Sequence, residues 1–203
     1  MLEDYNPIFG KNVIETLSEG MYDNPLFLFR EYVQNSADAI DAAEKCGILK
    51  SGEGEIIINI NGNEREISFV DNGTGIAKDN VARMLANVGD SQKDRKLNKG
   101  FRGIGRLGGL GYCRKVRFET SSKDENIKTI LEWDAKLLHE ILADKDVHIN
   151  ASDLIRKITT IKYVPCENSS HFFSVTMIGI NDNNSELLNE GEARRYLSMV
   201  APV

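Results

Sequence analysis

Glu31, Asn35 and Asp38 recur at i, i+4 and i+7, which puts two carboxylates and a carboxamide on one side of a helix. A solvated helix face usually carries lysine or arginine, yet residues 31–43 contain neither. Such a stripe suits a cleft that binds a cation or activates water, with Asn35 offering an uncharged oxygen and Glu31 able to take a proton. A second set is Asp71-Asn72-Gly73-Thr74-Gly75, delivered by the apolar Phe69-Val70. The carboxylate is a pure acceptor, and glycines one residue apart let the backbone turn with positive φ and a flat ligand approach closely. An ordinary Asp-Asn-Gly turn between strand and helix is the plainer alternative. The third set is a run with six glycines in residues 100–111, flanked or interleaved by Lys93, Lys99, Arg102 and Arg106. Its N–H groups can converge on phosphate oxygens. Gly103 to Gly108 spells G-x-G-x-x-G, but it follows a charged run rather than a buried strand, which excludes a dinucleotide fingerprint. No G-x-x-x-x-G-K-[ST] is present, so a P-loop is excluded as well.

The elements that must hold these residues are legible from pattern. Asn24-Pro25 is a helix start, with asparagine as N-cap and proline at the first helical position, and the helix should run to about residue 45, before Gly47. Phe29, Val33, Ala37 and Ile40 form the stripe expected to pack on a sheet. Strands over 55–60 and 66–70 flank Asn61-Gly62-Asn63 and read as a hairpin with positive φ in its turn. A short helix over 78–87 would present Val81, Met84, Leu85 and Val88 on one face. Strands are expected at 115–121, 127–133 and 172–180, and a helix at 189–199. Residues 134–170 mix helical spacing with a strand-like 158–164.

Composition narrows the class. The 203 residues are 41% hydrophobic and 28% charged, an ordinary globular balance, and a chain this long needs no disulfide or metal staple. Its 25 basic against 31 acidic residues give a net charge of −6, which argues against a nucleic-acid coat protein. Cys46, Cys113 and Cys166 are scattered, without C-x-x-C pairing. The first residues lack a signal-peptide pattern, and no apolar run approaches the ~18 residues of a membrane span. A soluble, cytoplasmic protein with no membrane association is expected.

In order and spacing the three sets resemble the GHKL ATPase superfamily of gyrases, heat-shock chaperones, histidine kinases and MutL repair proteins. The run from Phe29 to Asp41, FREYVQNSADAID, looks like the first motif in its chaperone form. Asp71-Asn72-Gly73-Thr74-Gly75 matches D-x-G-x-G, and residues 100–111 resemble the phosphate lid, with Gly100-Phe101-Arg102-Gly103 close to that of MutL proteins. Residues 87–93 are similar to the segment joining helix and lid in chaperone and MORC-type members. The likeness is strong over about residues 8–111.

That resemblance implies an α/β fold, a two-layer sandwich of a mixed β-sheet packed against helices, with ATP and Mg²⁺ as ligands. It implies Glu31 as the base that activates water, Asn35 as the metal ligand and Asp38 beside it. It implies Asp71, Gly73 and Gly75 around the adenine, Asn87 among the nucleotide-binding residues, and Lys93 as a cation that could offset the γ-phosphate charge. Gly100, Phe101, Arg102, Gly103, Ile104 and Gly105 would hold the γ-phosphate. The implied function is hydrolysis of ATP to ADP and phosphate, acting as a conformational and dimerisation switch. A non-hydrolysing ATP-binding module is the alternative. Residues 1–203 are expected to be one ATP-binding domain, the N-terminal module of a longer protein, forming a homodimer with ATP and working with further domains of the same chain; nucleic acid is not an expected partner. One departure stands out. Family members carry Gly-Thr on a late strand beside the adenine, whereas here Phe172-Phe173 align with that pair and Thr176 is the substitute candidate.

Overall fold

The computed structural model describes Lys11, residues 24–86 and residues 105–201. Helix α1 spans Phe27–Lys45. Asn24 opens it through a tighter lead-in turn: its side-chain oxygen accepts the Leu26 N–H at 2.9 Å, and Phe27 N–H donates to the Asn24 carbonyl. The far end closes as a Schellman motif. Gly47, at φ +71, donates to the Glu44 carbonyl and Ile48 donates to the Ala43 carbonyl.

Strands β1 (Ile56–Asn61) and β2 (Glu66–Asp71) form the expected hairpin. Its turn differs from the one anticipated. Asn61 Oδ1 gathers the N–H groups of Asn63 and Glu64, and the positive φ falls on Arg65 (+54) rather than on the Asn-Gly pair. Arg65 is held there by what it clamps. Its guanidinium donates to the Ile180 and Asn181 carbonyls at 2.6 and 2.9 Å, and its own carbonyl accepts the Ile180 N–H.

Helix α2 (Lys78–Val81) continues into a π-helical turn, Ala82–Ala86. Val81 and Leu85 are buried as expected, but Met84 is exposed, because the wider turn rotates it off the apolar face. Residues Gly105–Gly111 form a 3₁₀ helix. Then come β3 (Cys113–Ser121), β4 (Ile127–Asp134), α3 (Ala135–Ala143), α4 (Ala151–Ile158), β5 (Thr159–Pro165) and β6 (Phe172–Ile180). A 3₁₀ turn, Asp182–Leu188, leads to α5 (Glu190–Val200). Asp134, Asn150 and Asn189 cap α3, α4 and α5 by accepting N–H groups of their first turns. The ambiguous stretch 134–170 therefore resolves into two helices and a strand.

The six strands lie in the order β1-β2-β6-β3-β4-β5. Every pairing among the described residues is antiparallel, so the α/β sandwich is as expected but the sheet is not mixed there. The reason is the position of β6. Strands β2 and β3 run in the same direction, and β6 inserts between them, antiparallel to both.

Directly opposed residues of antiparallel strands point to the same face, so the registers define rows across the sheet. Ile67, Met177, Val116 and Trp133 make one row; Phe69, Val175, Phe118 and Leu131 make the next. All eight are buried and form the core on which α1, α3 and α4 pack. Phe29 meets Phe69 edge-on at 5.3 Å, and Phe118 meets Trp133 in the same way at 5.3 Å. The other face carries charge: Arg117 and Lys115 pair with Glu132 at 2.7 and 3.3 Å, and Lys128 pairs with Glu119 at 2.6 Å. Apolar rows and a charged reverse give the two-layer arrangement its sidedness.

The end of the glycine-rich segment is tied into this core. Leu110 is fully buried, and a Cβ on Gly109 would come within 2.8 Å of Tyr32 Oη and 3.2 Å of Val116 Cγ2. His139 Nε2 donates to the Leu110 carbonyl at 2.9 Å, joining α3 to the same point. Leu110→Ala should therefore lower unfolding free energy by about 2–5 kcal/mol, the range for truncating a buried leucine, read as a lower urea midpoint.

Candidate functional site

A third row continues the two apolar ones: Asp71, Phe173, Thr120 and Thr129, on β2, β6, β3 and β4. Here the core turns polar. Asp71 is only 2% exposed, and Thr120 and Thr129 are buried beside the half-buried Phe173. A carboxylate at such a position must be hydrogen-bonded or neutralised. Asp71 Oδ1 accepts the Gly73 N–H at 3.0 Å, and the Ser36 hydroxyl adds a second bond. Burial nevertheless outweighs both bonds and pushes its pKa up to about 6.

Ser36 comes from α1, whose buried residues are Leu28, Phe29, Tyr32, Val33, Ser36 and Ala43. The buried arc is thus centred on Phe29, Ser36 and Ala43 rather than on the Phe29, Val33, Ala37 and Ile40 stripe. Ala37 and Ile40 are its half-buried flank. A single serine within an apolar periodicity carries no signal of its own, and its role becomes visible only once β2 lies beneath it.

The loop after β2 is pressed against α1 and the sheet ends at once. A Cβ on Gly73 would stand 2.8 Å from both the Ala39 carbonyl carbon and Ala39 Cβ, and Thr74 N–H donates to the Ala39 carbonyl at 3.3 Å. Gly75 has φ +62, and a Cβ there would sit 1.9 Å from the Ser121 carbonyl oxygen. Both glycines are therefore required by contact, the second also by backbone conformation. Asp71 ends β2, and the loop after it, with Gly73 and Gly75, lies against the helix that carries Glu31, Asn35 and Asp38.

Those three helix residues are half-buried. Burial raises the pKa of Glu31, against the opposing pull of Arg30, so its carboxylate is a better proton acceptor than a solvated one. Asp38 Oδ1 accepts from Gln34 Nε2 at 2.9 Å, a bond within the helix. On the neighbouring helix α5, Tyr196 meets Phe27 at a tilt, with ring centroids 6.3 Å apart, one turn before Glu31. Asn87, Lys93, Gly100, Phe101, Arg102, Gly103 and Ile104 lie outside the described residues, and Gly105 begins the 3₁₀ helix.

The register settles the late-strand substitution. Phe173 stands directly opposite Asp71, whereas Thr176 pairs with Ser68 and Arg117 on the charged face. Thr176 therefore cannot stand in for the missing threonine. The buried hydroxyl nearest in register is Thr120, across from Phe173 on β3, a residue that sequence pattern left unremarked within an ordinary strand. Cys113 offers no alternative chemistry: burial pushes its thiol up to about 12, and it donates to the Gly109 carbonyl.

Asp71 links stability to pH in a defined direction. Its native pKa of about 6 lies above the ordinary value of 3.8, so between these values the folded chain holds a proton that the unfolded chain has released. The resulting stabilisation is complete below about pH 3.8 and is lost as pH rises through about 6, a change of up to about 3 kcal/mol. Urea unfolding at pH 5 and pH 7.5 should show wild type weakening relative to Asp71→Asn, which has no such titration. Parallel pH dependence in the two proteins would contradict the burial argument.

The profile of a family described as histidine kinase-, DNA gyrase B-, and HSP90-like ATPase matches residues 27–167. Chaperone protein HtpG of Shewanella baltica (strain OS155) is 24% identical over 145 residues, covering 62% of this chain and 23% of the chaperone. HtpG of Alkalilimnicola ehrlichii is 28% identical over 147 residues, covering 56% of this chain and 22% of the chaperone. The chain thus spans less than a quarter of the length of the chaperones it matches. Among the described residues no helix is long and apolar enough to cross a membrane. With two-thirds of its length inside the matched profile, and with the buried Asp71 and its glycine loop packed on α1, the chain belongs to the histidine kinase-, DNA gyrase B- and HSP90-like ATPase family.

Proposed function

We propose that this domain binds ATP and hydrolyses it to ADP and phosphate, with nucleotide driving a conformational and dimerisation switch in a longer protein. The observation that carries the reading is Asp71, a carboxylate buried at the end of an apolar core and fixed by Ser36 and Gly73. Such a group is useful where a ligand brings a donor to it, and the exocyclic amine of adenine is a donor of the right kind. Ionised Asp71 is the better acceptor, so ATP affinity should rise as pH increases through about 6.

Magnesium fits the donor set. Among the described residues no group of three or more His, Cys, Asp or Glu side chains could hold a metal ion unaided. Mg²⁺ usually keeps several waters and takes phosphate oxygens, so a single amide oxygen from Asn35 is a contribution it accepts. When bound, the ion would supply charge neutralisation for the phosphates. Glu31, one turn earlier on the same helix with its pKa raised by burial, is suited to orient the attacking water and accept its proton. Lys93 and residues 100–105 are proposed to hold the γ-phosphate.

Two substitutions divide binding from chemistry. Asp71→Asn puts an amide where a pure acceptor is needed and should weaken ATP binding by about 1.5–3 kcal/mol in calorimetry. Glu31→Gln keeps size and hydrogen bonding but cannot take a proton, so it should bind ATP within a few fold of wild type while phosphate release falls by ~10²–10⁴. Turnover in Glu31→Gln as fast as in wild type would remove Glu31 as the base. ATP binding with no turnover in wild type, even when dimerised, would establish the non-hydrolysing alternative.

A further inference from the structure

The loop from Gly73 to Ile76 is clasped from the sheet side by two residues to which the ATP reading gives no part. His171, just before β6, has Nδ1 2.9 Å from the Gly73 carbonyl oxygen. A carbonyl only accepts, so Nδ1 carries the hydrogen and the imidazole is the donor. Thr120, fully buried on β3, accepts the Ile76 N–H at 2.8 Å and donates its own hydrogen to the Phe172 carbonyl at 2.9 Å. Its hydroxyl thus ties the loop to β3 and, through Phe172, to β6. The two bonds grip the loop at both ends of the Gly73–Ile76 span, opposite the side where Ala39 of α1 receives the Thr74 N–H.

We propose that His171 and Thr120 are positioning residues for base recognition: by fixing the loop they hold Gly73, and through its N–H the Asp71 carboxylate, at the setting that distinguishes an amino purine. The proposal rests on the ATP reading. Its physical basis is that Asp71 Oδ1 is oriented by the Gly73 N–H, while the carbonyl of that same residue is oriented by His171. A loop able to turn about Gly73, a residue with no side chain to restrain it, would carry the Asp71 partner away from its setting. Phe173 fills the sheet position opposite Asp71 and brings no hydrogen-bonding group, so the orienting bonds must come from the neighbouring strand and from the residue before β6.

The test compares ATP with inosine triphosphate, in which an oxygen replaces the amine, by calorimetry on the full chain. His171→Ala and Thr120→Val remove the bonds. His171→Asn keeps an N–H donor near the position of Nδ1, and Thr120→Ser keeps the hydroxyl. Wild type should prefer ATP. His171→Ala and Thr120→Val should lower that preference ~10-fold, the scale of one well-placed hydrogen bond, while His171→Asn and Thr120→Ser retain it within about twofold. Simple loss of folded protein would weaken both nucleotides by the same factor, and that result, or an unchanged preference in His171→Ala, overturns the proposal. If Thr120→Val does not fold, the His171→Ala and His171→Asn pair decides alone. A wild type that binds neither nucleotide overturns the ATP reading itself, a result distinct from ATP binding that is indifferent to His171.

Discussion

A carboxylate cannot sit at the end of an apolar core without being hydrogen-bonded or protonated, and much of this domain is arranged around that constraint at Asp71. Two rows of side chains across four strands are apolar, and the third begins with Asp71. To satisfy it, α1 brings Ser36 into its buried arc, and the chain turns back at once so that the Gly73 N–H reaches Oδ1. That return forces glycine at position 73, where Ala39 leaves no room for a Cβ. The path onward forces glycine at 75 against the Ser121 carbonyl. Sequence features that look like a motif are thus consequences of one buried charge and the close backbone packing needed to satisfy it.

The burial that makes Asp71 distinctive also destabilises its ionised form, and the fold does not relieve this fully. One side-chain and one backbone hydrogen bond leave its pKa near 6, because burial raises it more than the two bonds lower it. A buried carboxylate is unfavourable for stability when ionised and favourable for recognising a ligand that brings a donor. The charged pairs on the reverse of the sheet behave differently. Glu132 is partly desolvated, yet hydrogen bonds and charge from Arg117 and Lys115 leave its pKa below the ordinary range. One face of the sheet settles its charges by pairing, and the other holds a carboxylate whose burial outweighs its two hydrogen bonds.

Local signals were enough for most elements. Asn24 steadies the turn before α1, though the helix itself begins later, at Phe27, and Asn189 caps α5 where the pattern places its start. Alternation in β3, β4 and β6 follows directly from their two-residue period, whereas the caps at Asp134 and Asn150 lie in the ambiguous stretch 134–170. Asp71, Gly73 and Gly75 were readable because their constraint is also local, a turn that admits no side chain. What could not be read was pairing. Ser36 gains its meaning from β2, Thr120 from β6, and the exclusion of Thr176 from a register set by Arg65 and the Ile180 end of β6. The antiparallel sheet depends on β6 arriving last and inserting between β2 and β3. No periodicity within a strand reports which strand will lie beside it.

Helix α1 joins the two halves of the proposed chemistry, and its geometry sets their spacing. Ser36 and Ala39 meet the Asp71 loop, while Glu31 lies five and eight residues earlier on the same rigid element. At 1.5 Å per residue that is about 7–12 Å along the axis. A helix bound to the loop that would read the base therefore carries its half-buried glutamate at a set distance from that loop. Asn35, one turn after Glu31 on the same helix, is the residue proposed to hold the Mg²⁺ ion. The spacing depends on α1 remaining straight and docked. Phe29 and Tyr32 secure that by packing on Phe69, in the apolar row next to Asp71. The core contact that stabilises the helix is thus also what keeps the proposed base-reading and water-activating groups at a fixed separation.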